Sequence, residues 1–170
     1  MTGGRAPLTT MAVTGHMDLT EGSLTLVRAA LDRLLAPYRG RDLAGVSCLA
    51  PGADSVFAQA VLAAGGRLVA VVPSRNYRAD VVDEGHAPLF DRLLAAADEV
   101  IVLPHTTADR HAYAAANAEL LRRADRLVAV WNGEPPSGRG GGTADAVLAA
   151  RAAAVPVDVV WPDGASRSGG

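Results

Sequence analysis

The residues of this 170-residue chain best suited to chemistry stand just after short apolar runs. Gly138-Arg139-Gly140-Gly141-Gly142-Thr143 precedes a segment of helical period. Its glycines let backbone approach a ligand without Cβ interference, and the free N–H groups and dipole of a helix start favour an anion such as phosphate. Thr143 could add its hydroxyl or cap the helix, and a flexible loop is the plainer alternative. Thr14-Gly15 pairs a hydroxyl with Cβ-free backbone, suited to phosphate or ribose, or to a tight strand exit. His16 titrates near neutrality and is either a ligand or acid-base contact or a hydrogen-bonded turn residue. Asp54, behind Pro51-Gly52-Ala53, could cap its helix, bind ribose hydroxyls or act as an acid or base. Arg75, Tyr77 and Arg78 make a basic, aromatic loop that could pair with phosphate and stack on a base, or lie solvated at the surface. Asn132-Gly133 ends another apolar run. His105, Asp109 and His111 fit no established metal-ligand spacing, and no metal is expected.

Those positions need elements to hold them, and the apolar pattern supplies the elements. Six strands are predicted at Leu8–Thr14, Val46–Ala50, Leu68–Val72, Glu99–Leu103, Arg126–Trp131 and Val157–Trp161, each apolar on nearly every residue, as strands buried on both faces are. Between the first two, Leu24, Val27, Leu31, Leu34 and Leu35 recur at three- and four-residue steps and Pro37 closes the helix. Asp54–Ala64 repeats the pattern before Gly65-Gly66. Pro88–Ala97, His111–Ala124 and Thr143–Ala153 complete the set. Strictly alternating strands and helices imply an α/β, Rossmann-like, doubly wound sheet, mainly parallel, with helices on both faces. In such a sheet ligands bind beyond the carboxyl ends of the strands, where the polar residues above lie. One domain over 8–162 is expected, with disordered tails at 1–7 and 163–170, whose Gly, Ser and Pro content offers little apolar surface to offset ordering entropy.

Composition removes several classes of function. All sixteen basic side chains are Arg, so a Schiff-base lysine and a P-loop lysine are both excluded. Charges are interspersed, the formal net charge is -2 and only seven residues are Phe, Trp or Tyr, which argues against nucleic acid as the main partner. The single Cys48 has no internal disulfide partner and reads as a small core residue. No signal-peptide pattern opens the chain and no run reaches the eighteen apolar residues of a membrane span, so a cytoplasmic protein is expected.

Val13-Thr14-Gly15-His16 with Asp18-Leu19, Pro51-Gly52-Ala53-Asp54, Val72-Pro73 before Tyr77, and Ala112-Tyr113 carry a family resemblance. So do Ala124-Asp125 with Val128-Ala129-Val130-Trp131-Asn132-Gly133, and Gly141-Gly142-Thr143-Ala144 with Ala150-Arg151. In this order, over about Thr10 to Trp161, the chain resembles the SLOG superfamily, which joins the DNA-processing protein A (Smf) proteins to the LOG, or lysine decarboxylase-like, proteins; it looks like a small stand-alone bacterial member. The resemblance implies a Rossmann-like sheet binding nucleotides or nucleotide-derived molecules at the strand ends, with the glycine loop on phosphate, and commonly a homodimer.

LOG enzymes cleave the N-glycosidic bond of a nucleoside monophosphate and carry a Glu three residues after the Thr of their Pro-Gly-Gly-x-Gly-Thr loop. Ala146 stands at that place here. The missing carboxylate would stabilise an oxocarbenium ion, and Asp145, one residue earlier, is turned by about 100° around the helix. Related chains often end strand five in Asp-Gly where this one has Asn132-Gly133. The expected function is therefore binding of a nucleotide or nucleotide derivative, as in a ligand sensor, with no cofactor required. Thr14, Gly15, Gly141, Gly142 and Thr143 would hold phosphate, with His16, Gly52, Gly133 and Gly140 among the ligand or phosphate contacts. Asp54 and Asn132 would orient the sugar, and Arg75 and Tyr77 would close over the ligand. The alternative is an N-glycosidase with a rearranged site built on Asp54 or Asp145 assisted by His16; single-stranded DNA binding ranks last.

Overall fold

The structure, a computed structural model, describes residues 8–38, 42–138 and 142–169. Six strands, β1 (Thr9–Gly15), β2 (Leu43–Ser47), β3 (Arg67–Val72), β4 (Glu99–Val102), β5 (Arg126–Val130) and β6 (Val157–Val160), form one sheet in the order β4-β3-β2-β1-β5-β6. Every pairing is parallel. The chain winds outward from β1 to β4, then returns to the other side of β1, so strand order reverses between β1 and β5. That reversal leaves a crevice at the carboxyl ends of these two strands.

The helices are α1 (Glu21–Leu35), α2 (Ala53–Ala63), α3 (Tyr77–Asp80), α4 (Ala87–Ala96), α5 (Arg110–Arg123) and α6 (Thr143–Ala152). Strand residues alternate between faces. Met11 and Val13 join Val27, Leu31, Leu35, Phe57 and Val61 in a core under α1 and α2, which Leu68, Ala70, Phe90 and Leu93 extend beneath α4. Ala12, Val46 and Val71 pack instead on Ala116, Leu120 and Ala150, from α5 and α6. Thr14, in phase with Ala12, therefore stands on the α5 and α6 side at the top of β1.

β2 lies three residues earlier than predicted. Gly45, which a pattern reading discounts, belongs inside the strand because a Cβ there would sit 2.6 Å from Val61 and 3.0 Å from Phe57. The strand ends where Ser47 turns the chain, its hydroxyl accepting from Leu49 N–H and donating to the Asp54 carbonyl, and Leu49 takes a left-handed φ of 59°. Burial on both faces also fails at the sheet edges: Val100 and Val102 of β4 are 43% and 51% exposed. The short α3 and a 3-10 turn at Ala36–Tyr38 interrupt the strict alternation.

The segment 163–169 hydrogen-bonds to the loop after β1 and to the start of α1. Ser168 N–H donates to the Asp18 carbonyl, Ser166 N–H to Ser23 Oγ, and Leu19 and Arg167 form an antiparallel bridge. The segment's contacts are polar hydrogen bonds, and none of its described residues is fully buried. The predicted N-terminal tail lies outside the described residues. Among the described residues, no helix is long and apolar enough to cross a membrane.

Candidate functional site

The β1–β5 crevice is built by strand ends and helix starts. His16 follows β1, its backbone N–H donating to the Val130 carbonyl and its own carbonyl accepting from Ala53 N–H, so the β1 exit is tied to both β5 and α2. On the ring, Nε2 accepts the Asn132 backbone N–H at 3.1 Å and lies 3.1 Å from Asn132 Oδ1. Asn132 Oδ1 in turn accepts Glu134 N–H. Trp161 meets the imidazole edge to face at 5.6 Å. Burial, and then the charge of Arg167, hold the His16 pKa below its usual 6.5, against the opposing hydrogen bond from Asn132 and the charges of Asp18 and Glu134.

Two glycines at this edge have packing reasons. A Cβ on Gly15 would stand 2.3 Å from the Ala53 Cβ and 2.8 Å from the Val130 Cβ, so Gly15 lets α2 close onto the sheet rather than opening backbone to a ligand. Gly52 is the N-cap of α2, at φ 76°, and a Cβ there would meet the His16 and Met17 carbonyl oxygens. Gly133 differs. Its φ of 87° also favours glycine, but the space around it is open.

Beyond Gly133 the chain reaches α6. Gly142 is its N-cap, with extended backbone, and Gly142 N–H donates to Asp145 Oδ2 at 3.2 Å. Asp145 is thus a helix cap, with its carboxylate against the helix N-terminus. The hydroxyls of Thr14 and Thr143 carry no hydrogen bond to another described residue, and Thr143 stands at the first position of α6. Gly140 and Gly141, predicted to cradle phosphate, lie outside the described residues.

A second group gathers above β2 and β3. Asp54 is not the cap of its helix; it sits in the first turn of α2, its carboxylate taking a backbone hydrogen bond at Ala50 while burial pushes its pKa up to about 7. Burial, then the charge of Asp54, also raises the Cys48 thiol and the Tyr77 hydroxyl. Tyr113, in the first turn of α5, packs on the same cluster as Tyr77. A carboxyl poised near neutrality close to the Tyr77 phenol is suited to proton transfer.

The residues of the predicted lid are each engaged within the protein. Tyr77 is 3% exposed and packs on Phe90 with ring centroids 5.9 Å apart, Arg78 is bidentate to Asp91, and Arg75 donates to Thr106 Oγ1. An apolar body with the spacing of a surface loop gave no sign of this burial. Asp109 caps α5 through Ala112 N–H. Sequence reasoning named Asp18 beside His16 without giving it a role, and it gave no role to Glu134, Trp161 and Arg167, which also surround the His16 ring. No local spacing links these last three to His16, and the order of the strands brings them together.

No protein-family model and no curated protein matches the sequence. Solved structures do. DNA processing protein A from Streptococcus pneumoniae is 18% identical over 92% of this chain and 52% of that one, with a TM-score of 0.66. The chain thus spans about half the length of that protein. DNA processing protein A from Helicobacter pylori, described for its single-stranded DNA binding mode, is 15% identical over 95% of this chain and 69% of that one, with a TM-score of 0.65. The molybdenum cofactor binding protein of the phototrophic bacterium Rippkaea orientalis is 18% identical over 94% of this chain and 80% of that one, with a TM-score of 0.58. These likenesses establish the Rossmann-like α/β fold.

Proposed function

We propose, on this Rossmann-like fold, that this protein binds a nucleotide or nucleotide-derived small molecule across the carboxyl ends of β1 and β5. The observation that carries the reading is the strand-order reversal there, which sets the Thr14 hydroxyl, the open backbone of Gly133 and the start of α6 around one crevice. The phosphate lies toward Gly142 and Thr143, and Asn132 faces the sugar, while Asp54 stands in the neighbouring group above β2 and β3. Gly15, Gly52 and Tyr77 leave the contact set, since packing accounts for each. The likeness to a protein described as binding molybdenum cofactor supports a small ligand in this fold. The likeness to proteins that process DNA keeps single-stranded DNA as the competing partner, against which the net charge of -2 weighs. A homodimer through the helices beside the site belongs to the same reading.

The test is a thermal-shift series with AMP, other nucleoside monophosphates, ADP-ribose, NAD, ribose 5-phosphate and an oligodeoxynucleotide. A ligand that binds only the folded state raises Tm by mass action. Stabilisation by a nucleotide but not by ribose 5-phosphate shows that the base is read. Stabilisation by the oligodeoxynucleotide alone overturns the proposal.

One observation favours a hydrolytic reading. The Asp54 carboxyl, with a pKa of about 7, can hold or release a proton near neutrality, as a group assisting N-glycosidic cleavage must. That reading predicts base release from a stabilising nucleotide, lost in Asp54→Asn; release that survives the substitution assigns the chemistry elsewhere.

A further inference from the structure

The segment 163–169 lies against the loops after β1 and β5, and Arg167 adds a second link between them beside the His16–Asn132 bond. Arg167 Nε donates to Asp18 Oδ1 at 2.8 Å, in the loop after β1, while its NH1 lies 3.5 Å from Glu134 Oε2, in the loop after β5. Around it, Ser168 donates through both N–H and Oγ to the Asp18 carbonyl, and Thr20 N–H donates to the Ser166 carbonyl. Ser166 N–H donates to Ser23 Oγ, a hydroxyl at the start of α1 that is only 1% exposed. The loops held in this way are those that carry His16 and Asn132.

The attachment is polar throughout. Among the residues of the segment, only Ala165 and Arg167 are partly buried, and none is fully buried. The Arg167, Asp18 and Glu134 side chains are 35%, 35% and 66% exposed, so both ion pairs are open to solvent screening. Segments with few apolar contacts open at low free energy while the core stays folded. The Arg167 guanidinium, shared between two carboxylates, is the attachment of this segment that engages both loops.

We propose that residues 163–169 are a strap that Arg167 fastens across the β1 and β5 exits, and that its release loosens both exits together and opens the crevice. Docked, the strap sets one positive charge between the carboxylates of Asp18 and Glu134. Released, it leaves two negative charges at the crevice mouth, which repel an anionic ligand. Charge and cover thus act in opposite senses: the docked strap favours an anion electrostatically, and the released strap opens the path while weakening the anion's affinity. This consequence for ligand entry rests on the nucleotide reading above; the coupling of the two exits does not.

Amide hydrogen exchange on the ligand-free protein tests the coupling. Ser166 and Ser168 report the strap, and Asn132 and Glu134, whose N–H groups donate to His16 Nε2 and Asn132 Oδ1, report the β5 exit. In Arg167→Gln all four should exchange faster by a common factor of roughly fivefold, the size expected for two half-exposed ion pairs. Arg75 and Asn76, whose N–H groups donate to the His105 and Thr106 carbonyls at the far edge, should keep their rates. If Arg167→Gln folds poorly, the unaltered protein in about 1 M salt supplies the same perturbation by screening both pairs. Faster exchange at Ser166 and Ser168 with unchanged rates at Asn132 and Glu134 overturns the coupling, as do unchanged rates at all four. For the charge effect, Arg167→Gln should weaken binding of a stabilising nucleotide and Arg167→Gln with Asp18→Asn should restore it. Absence of any stabilising nucleotide would sink the ligand reading while leaving the exchange result standing.

Discussion

Asn132 donates its backbone N–H to Nε2 of His16 at 3.1 Å, joining residues 116 positions apart across the carboxyl ends of β5 and β1. A backbone N–H only donates, so this bond needs the unprotonated nitrogen of a neutral ring. The Asn132 side-chain oxygen, also 3.1 Å from Nε2, favours the protonated ring. The two contacts oppose each other, and burial with the charge of Arg167 tips the balance toward the neutral form. Asn132→Asp should reverse it, since a carboxylate at that distance stabilises imidazolium. The His16 pKa, followed by NMR titration of its ring protons, should rise from below 6.5 to above it. A pKa that stays low in the variant would show that burial dominates the ring regardless of Asn132.

Asp54 gives the opposite kind of pH dependence. Folding raises its pKa from 3.8 to about 7, chiefly by burial. Between those values the folded state keeps a proton that the unfolded chain has released, so stability falls as pH rises through the window and levels off above about 7. Asp54→Asn, which needs no proton, should therefore stabilise the protein at pH 8 by an amount on the order of a few kcal/mol, with the gain vanishing toward pH 4. Urea midpoints measured across that range check it, and equal gains at both ends would mean that Asp54 is not buried in its charged form.

The glycines at the crevice separate packing from backbone freedom. Gly15→Ala drives a methyl into Ala53 and Val130 and should cost at least the roughly 1–3 kcal/mol typical of overpacking. Gly133→Ala meets open space, and only its φ of 87° opposes it, so a cost of about 1–2 kcal/mol is expected. Chemical denaturation of the two variants should rank Gly15→Ala as the more damaging, and it should also shift the amide resonances of α2, which Gly133→Ala should leave in place.

Much of this architecture is legible in the chain because parallel strands buried in a two-layered core must be apolar at nearly every position. β1, β3 and β5 show this, with Val13, Leu68 and Val128 all fully buried. β2 was misplaced because Gly45 reads as a break, whereas its missing side chain is what lets Phe57 and Val61 approach. The crevice itself was legible as a place, the edge where Thr14, Asn132 and Thr143 converge. Its internal wiring was not. The His16–Asn132 bond and the Arg167 pairs depend on which strands become neighbours, a property of the closed sheet that no local spacing encodes.

The start of α6 gives the sharpest test of the anion reading, because the same substitution acts differently on fold and ligand. Gly142 has φ -84° and ψ 178°, a conformation open to any residue, and Asp is among the strongest N-cap types. Gly142→Asp should therefore fold as stably as the parent, within a few tenths of a kcal/mol. Its carboxylate would face a bound phosphate, so any Tm increase produced by a nucleotide should disappear. Asp145→Asn tests the converse. The Asp145 carboxylate already accepts the Gly142 N–H and sets negative charge at the helix start, where it opposes an incoming anion. Neutralising it should strengthen nucleotide binding by the several-fold that about 0.3–1 kcal/mol of helix-end electrostatics represents, most visibly at low salt. Titration calorimetry on both variants decides the matter: tighter binding in Asp145→Asn with none in Gly142→Asp puts the phosphate at α6, and unchanged affinity in both moves it off this helix.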